Sequence, residues 1–104
     1  MTSHSQQLIA HAACLLDFGN DQQGATGKLR QAIEAARQTR NLIDEVQARA
    51  FLGELLLETD CQREAIEQFE HVLNLARGGS VDLDSIEQEL RTARQHLSRS
   101  VGLE

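Results

Sequence analysis

Proline, tryptophan and tyrosine are absent from this chain, and its only aromatic residues are three phenylalanines. Without proline, nothing in the sequence deletes a backbone N–H or forces a kink into a helix. The abundant Ala, Leu, Gln, Glu and Arg favour helix over strand, and no convincing strand pattern is present. Long apolar runs are also missing. The longest, Ala12 to Leu16 and Leu55 to Leu57, fall far short of a bilayer span. The opening MTSHSQQ lacks the charged-then-apolar form of a secretory signal, so the expected compartment is the cytoplasm and no membrane partner is expected. Two cysteines, Cys14 and Cys61, allow at most one disulfide and supply no framework; both are expected to be reduced. Basic charge is scarce as well: ten Lys and Arg scattered among sixteen Asp and Glu give a formal net charge of -6. Phosphate backbones are gripped by clustered cations, so nucleic acid is not an expected partner.

What remains is helical periodicity with an internal repeat. From Val46 to Arg77, apolar residues recur at three-and-four spacing, first through Ala48, Leu52, Leu55 and Leu56, then through Ala65, Ile66, Phe69, Val72, Leu73 and Ala76. Glu58-Thr59-Asp60 interrupts them, with Asp60 or Thr59 as the candidate N-cap of the second helix. Sliding the chain by forty residues without a gap sets Ala12, Ala13, Leu15 and Leu16 on Leu52, Gly53, Leu55 and Leu56. The same shift sets Ala25, Leu29, Ala32, Ile33 and Ala36 on Ala65, Phe69, Val72, Leu73 and Ala76. Apart from Ala12 on Leu52, small falls on small and large on large. This predicts two helical hairpins, residues 5–38 and 42–77, with Gly53 against Ala65 and Ala13 against Ala25 as the close backbone approaches. Gly19-Asn20-Asp21 marks the first turn, and Gly24 and Gly27 predict a frayed start to the second helix. Glycine at Gly78-Gly79 predicts the end of the fourth. Beyond it, Asp84-Ser85-Ile86-Glu87 has capping-box form, with Asp84 as the N-cap. A fifth helix is expected over 83–100, with an apolar stripe of Ile86, Leu90, Ala93, Leu97 and Val101. Leu103-Glu104 are assigned no role.

The set Leu52-Gly53, Leu56, Ala65, Phe69 and Val72 resembles the tetratricopeptide repeat (TPR), in a long form of about forty residues where the usual period is about 34. Arg49 stands where that family has an aromatic residue, and Arg77 where it has proline. The resemblance implies an all-α fold over residues 1–104: a right-handed superhelix of two hairpins with the fifth helix as a cap. It also implies a concave surface lined by the first helix of each hairpin, where a peptide or partner protein docks. The positions matching that lining are Gln7, Ala10, Cys14, Asp17 and Phe18, then Gln47, Ala50, Glu54, Leu57 and Glu58, and on the last helix Glu87, Leu90, Arg91 and Arg94. Asp17, Glu54, Glu58 and Glu87 make the surface acidic, with Phe18 and Leu57 as apolar anchors, so a basic or amphipathic segment is the expected partner. The family's clamp for C-terminal carboxylates needs Lys, Asn and Arg; the matching Ala10, Cys14, Phe51, Glu87 and Arg91 supply only the last. The alternative function is structural, as a self-associating homodimer or a part of a longer array.

Catalytic and metal signals are weak. Gly24-Ala25-Thr26-Gly27-Lys28 lacks the spacing of a phosphate loop and follows no strand. Asp44-Glu45 are sequence neighbours, which point apart on a helix, and are expected on the solvated surface. His11 and Cys14 could offer two ligands from one helix where structural zinc needs four, and His71 and His96 are expected on polar faces. Neither an enzyme nor a cofactor is expected.

Overall fold

A computed structural model describes residues 3–79 and 82–102, with side chains placed as far as residue 99. Val101 and Leu103-Glu104 therefore lie outside the described side chains. Among the described residues the secondary structure is entirely helical: α1 (His4–Gly19), α2 (Gln22–Gln38), α3 (Leu42–Glu58), α4 (Gln62–Arg77), a short 3-10 turn (Leu83–Ile86) and α5 (Glu87–Gly102). Each helix packs on the next in sequence, and α3 additionally touches α1 and α5. The odd-numbered helices thus lie side by side, with α2 and α4 behind them.

The boundaries follow from local chemistry. Asn20, Arg40 and Asp60 each adopt a left-handed backbone with φ of 49°, 55° and 65°. After each of them the chain closes on the preceding helix, through Asp21 N–H to Leu15 O at 2.9 Å, Asn41 N–H to Ala36 O at 2.8 Å and Cys61 N–H to Leu56 O at 2.8 Å. Asn and Asp tolerate this conformation better than most residues. The turns recur at positions 20, 40 and 60, so each forty-residue repeat is built from two helices of nearly equal length. Ser3, Asp21 and Asn41 cap α1, α2 and α3 by accepting from the N–H of Gln6, Gly24 and Asp44. Helix α2 begins at Gln22 under its Asp21 cap, with both glycines inside it.

Two expected caps are replaced. Neither Thr59 nor Asp60 caps α4: the Thr59 hydroxyl donates back to Leu55 O and Leu56 O at 3.2 Å, Asp60 is the left-handed turn residue, and Cys61 holds the cap position without a side-chain hydrogen bond. Before α5, the cap is Asp82 and not Asp84. Its carboxylate accepts from Asp84 N–H and Ser85 Oγ, both at 3.2 Å, because the chain first makes a 3-10 turn there. Helix α4 ends where expected, with Gly79 at φ 74° supplying the left-handed residue.

The core is a single cluster drawn from all five helices and includes Leu8, Ala12, Leu29, Ile33, Val46, Leu52, Leu55, Phe69, Val72, Ile86, Leu90 and Ala93. Phe69 is its centre and has no exposed surface. A Cβ added at Gly53 would stand 2.7 Å from ring carbons of Phe69, so the nearest neighbour of Gly53 across the α3–α4 contact is the Phe69 ring. The ring also stacks on His96 of α5, with centroids 5.0 Å apart and planes 14° from parallel. His96 is therefore half-buried packing and not a polar-face residue. In the first hairpin, burial centres on Ala12 and Ala25, with Ala13 only half-buried and outside the cluster. Ile66 also leaves the stripe assigned to it and lines a shallow depression with Gln62, Arg63, Glu67 and Glu70.

Asp44 and Glu45 are buried, at 5% and 6% exposure, which overturns the surface placement expected of them. The Asp44 carboxylate draws together the starts of α1 and α3. Ser3 Oγ donates to it at 2.7 Å, Gln6 Nε2 at 2.6 Å and Asn41 Nδ2 at 2.9 Å, and the buried Ser5 Oγ adds a further short contact. Burial pushes its pKa up, but the hydrogen bonds from Ser3, Ser5 and Gln6 outweigh this and leave it below the usual carboxylate value. Glu45 accepts from Arg49 Nε at 2.9 Å, one turn on, with each side chain 8% exposed, and Arg49 Nη1 reaches Gln68 Oε1 of α4 at 2.9 Å.

Candidate interaction surface

Helices α1, α3 and α5 bound a groove of about 340 Å³, lined by Ile9 of α1, Gln47, Ala50, Phe51 and Glu54 of α3, and Gln88, Glu89 and Thr92 of α5. On α3 the groove-facing residues recur at three-and-four spacing, so one stripe of that helix forms the floor. Ile9 and Phe51 are half-buried and pack against the core, which fixes the groove walls from behind. Gln47 is held in place by the Gln6 amide, whose Nε2 donates to its Oε1 at 2.5 Å. The Asp44 cluster thus sets the spacing of α1 and α3 at one end of the groove.

Three of the residues expected on the concave surface meet in this groove: Gln47, Ala50 and Glu54. Gln7, Ala10, Cys14, Asp17 and Phe18 are all exposed along α1 outside the groove, with Phe18 at 89%. Leu57 is half-buried and packs on the core, while Glu58 at the end of α3 is exposed. The α5 residues divide differently. Leu90 is a core residue, and Glu87, Leu90, Arg91 and Arg94 line a second depression of about 420 Å³ with Leu83 and Asp84. Arg91 donates to Glu87 at 2.8 Å, in an exposed pair, so its charge is answered locally. The groove-lining residues that sequence reasoning passed over are Ile9, Phe51, Gln88, Glu89 and Thr92. Phe51 was within reach, being four residues after Gln47 and three before Glu54. The α5 stripe Ile86, Leu90, Ala93 and Leu97 packs inward as expected, and the groove takes the flank of it that carries Gln88, Glu89 and Thr92.

Electrostatically the groove is one-sided. Glu54 and Glu89 lie in it and no Lys or Arg among the described residues does. The three ion pairs among the described residues are Arg30–Glu64, Glu45–Arg49 and Glu87–Arg91, so neither groove carboxylate has a cationic partner among them.

Among the described residues no group of three or more His, Cys, Asp and Glu is placed to hold a metal ion. Cys14 lies free on the exposed flank of α1, and Cys61 is half-buried near the α2–α4 side with Gln22, Thr26 and Glu64. Every buried side-chain nitrogen and oxygen among the described residues has a hydrogen-bond partner. No helix among them is long and apolar enough to cross a membrane. The groove offers two carboxylates, two amides and a hydroxyl set among apolar walls. No protein-family model, curated protein or solved structure matches the chain.

Proposed function

We propose that this chain is a cytoplasmic, non-enzymatic, TPR-type interaction module that holds a segment of another protein in the groove between α1, α3 and α5. The observation that carries this reading is the groove itself: three helices far apart in sequence contribute to one concave surface, and concave, mostly apolar sites with a few polar groups are where ligands bind. The forty-residue repeat, with Gly53 beneath Phe69, accords with the TPR pattern. A library of ten-residue peptides displayed on phage tests it. Selected peptides should lose at least about tenfold in affinity on Gln88→Trp, which fills the groove from an exposed position. Binding unaffected by that substitution, with the variant's helical circular dichroism unchanged, would refute the proposal.

The second reading is self-assembly. It is favoured by two large apolar side chains left in solvent, Phe18 at 89% and Leu83 at 53% exposure. A sedimentation series over concentration discriminates: a dimer abolished by Phe18→Ser supports it, and a monomer throughout removes it.

A further inference from the structure

We infer that the groove receives an arginine side chain of the partner, and that this contact defines the specificity of the site. The inference rests on the binding reading above and adds the chemistry of the occupant.

Three observations combine. First, the groove carries two carboxylates, Glu54 on the α3 floor and Glu89 on α5, and no Lys or Arg among the described residues lines it. Second, among the described residues neither carboxylate is used in an ion pair, whereas Glu45, Glu64 and Glu87 each are. Two like charges facing one recess disfavour the empty state, and a cation placed between them relieves it. Third, the remaining lining suits the rest of an arginine. Ile9, Ala50 and Phe51 supply apolar surface for its methylene stem. A guanidinium over an aromatic ring gains cation–π attraction, and its planar fork can donate to both a carboxylate and a neighbouring amide oxygen. Lysine brings the charge but not the fork or the stacking. The second depression, at Asp84, Glu87, Arg91 and Arg94, is a poorer candidate because it already holds two arginines of this chain and Glu87 is paired with one of them.

The experiment uses the full chain and the peptides selected from the phage library. Arginine should be enriched at one position of groove-dependent binders, and replacing it by citrulline, which keeps the shape and removes the charge, should weaken binding about tenfold or more. Replacing it by lysine should give an intermediate loss. Glu54→Gln and Glu89→Gln should each weaken the arginine peptide and leave the citrulline peptide unchanged, so that the loss appears only when both charges are present. Neither glutamate is a core residue, and the unchanged citrulline affinity serves as the control for folding. Groove-dependent binders without a required arginine would overturn this inference and leave the binding reading standing. Binders indifferent to Gln88→Trp would overturn both.

Discussion

Replacing Arg49 alone should cost far more than replacing it together with Glu45. The guanidinium and carboxylate are 2.9 Å apart with each side chain 8% exposed, and Arg49 also reaches Gln68. In Arg49→Met the Glu45 carboxylate stays buried without its cation, a change that typically costs about 3–5 kcal/mol. Methionine is as good a helix former as arginine, so propensity contributes little, and the half-buried Gln68 amide can turn to water. For a chain of 104 residues, whose whole stability is of order 5–15 kcal/mol, this is a large fraction. At about 4–8 °C per kcal/mol the midpoint should fall by at least roughly 12 °C. In Glu45→Leu/Arg49→Met the buried charge is gone, and replacing a buried pair by apolar residues is often neutral or better. The favourable placement of Glu45 in the first turn of α3 is lost, at about 0.3–1 kcal/mol, so the double variant should fall within about 1 kcal/mol of the parent. Urea denaturation of the parent, both single variants and the double closes the cycle. If Arg49→Met costs less than about 1 kcal/mol, or the double variant costs the sum of the singles, the pair is not the coupled buried unit described.

Two further outcomes follow from the same packing. The pKa of Asp44 is lowered on folding, so its hydrogen bonds contribute fully above the unfolded carboxyl value of about 3.9 and are lost as pH falls through the lower folded value. The stability gap between the parent and Asp44→Asn should therefore be flat from neutral pH to about 5 and shrink below about 4, and a gap that widens on acidification would contradict the net downward shift. Gly53→Ala should destabilise by about 1–3 kcal/mol, because its methyl would stand 2.7 Å from the Phe69 ring; adding Phe69→Leu should make the alanine nearly free, and thermal melts of the two backgrounds would show it.

Apolar periodicity and turn residues made the helices legible before any coordinates. Gly19-Asn20-Asp21 and Glu58-Thr59-Asp60 each contain the left-handed residue that ends a helix, and α4 stops at the glycine pair. The sequence could not reveal which polar residues go inside. Asp44, Glu45 and Arg49 are as hydrophilic as any surface residue, and their burial depends on donors that are far away in the chain, Ser3, Ser5 and Gln6 for one and Gln68 for another. The cap errors have a local origin: Thr59, Asp60 and Asp84 are good cap formers, but the turn geometry hands the position to Cys61 and to Asp82. Part of the groove was readable from the α3 stripe. The α5 wall was not: apolar spacing identifies the inward stripe of Ile86, Leu90 and Ala93, but not which of its flanks, Gln88, Glu89 and Thr92 or Glu87, Arg91 and Arg94, turns to the groove.

The even placement of Asn20, Arg40 and Asp60 bears on how such a chain lengthens. Because the corner inside a hairpin and the corner between hairpins use the same backbone bend at the same interval, a block of forty residues can be spliced in or out at any of them while both flanks keep their phase. Growth would then add helices in the row of α1, α3 and α5, and under the proposed binding role the reach along a partner segment would scale with the number of blocks and not with new joint chemistry.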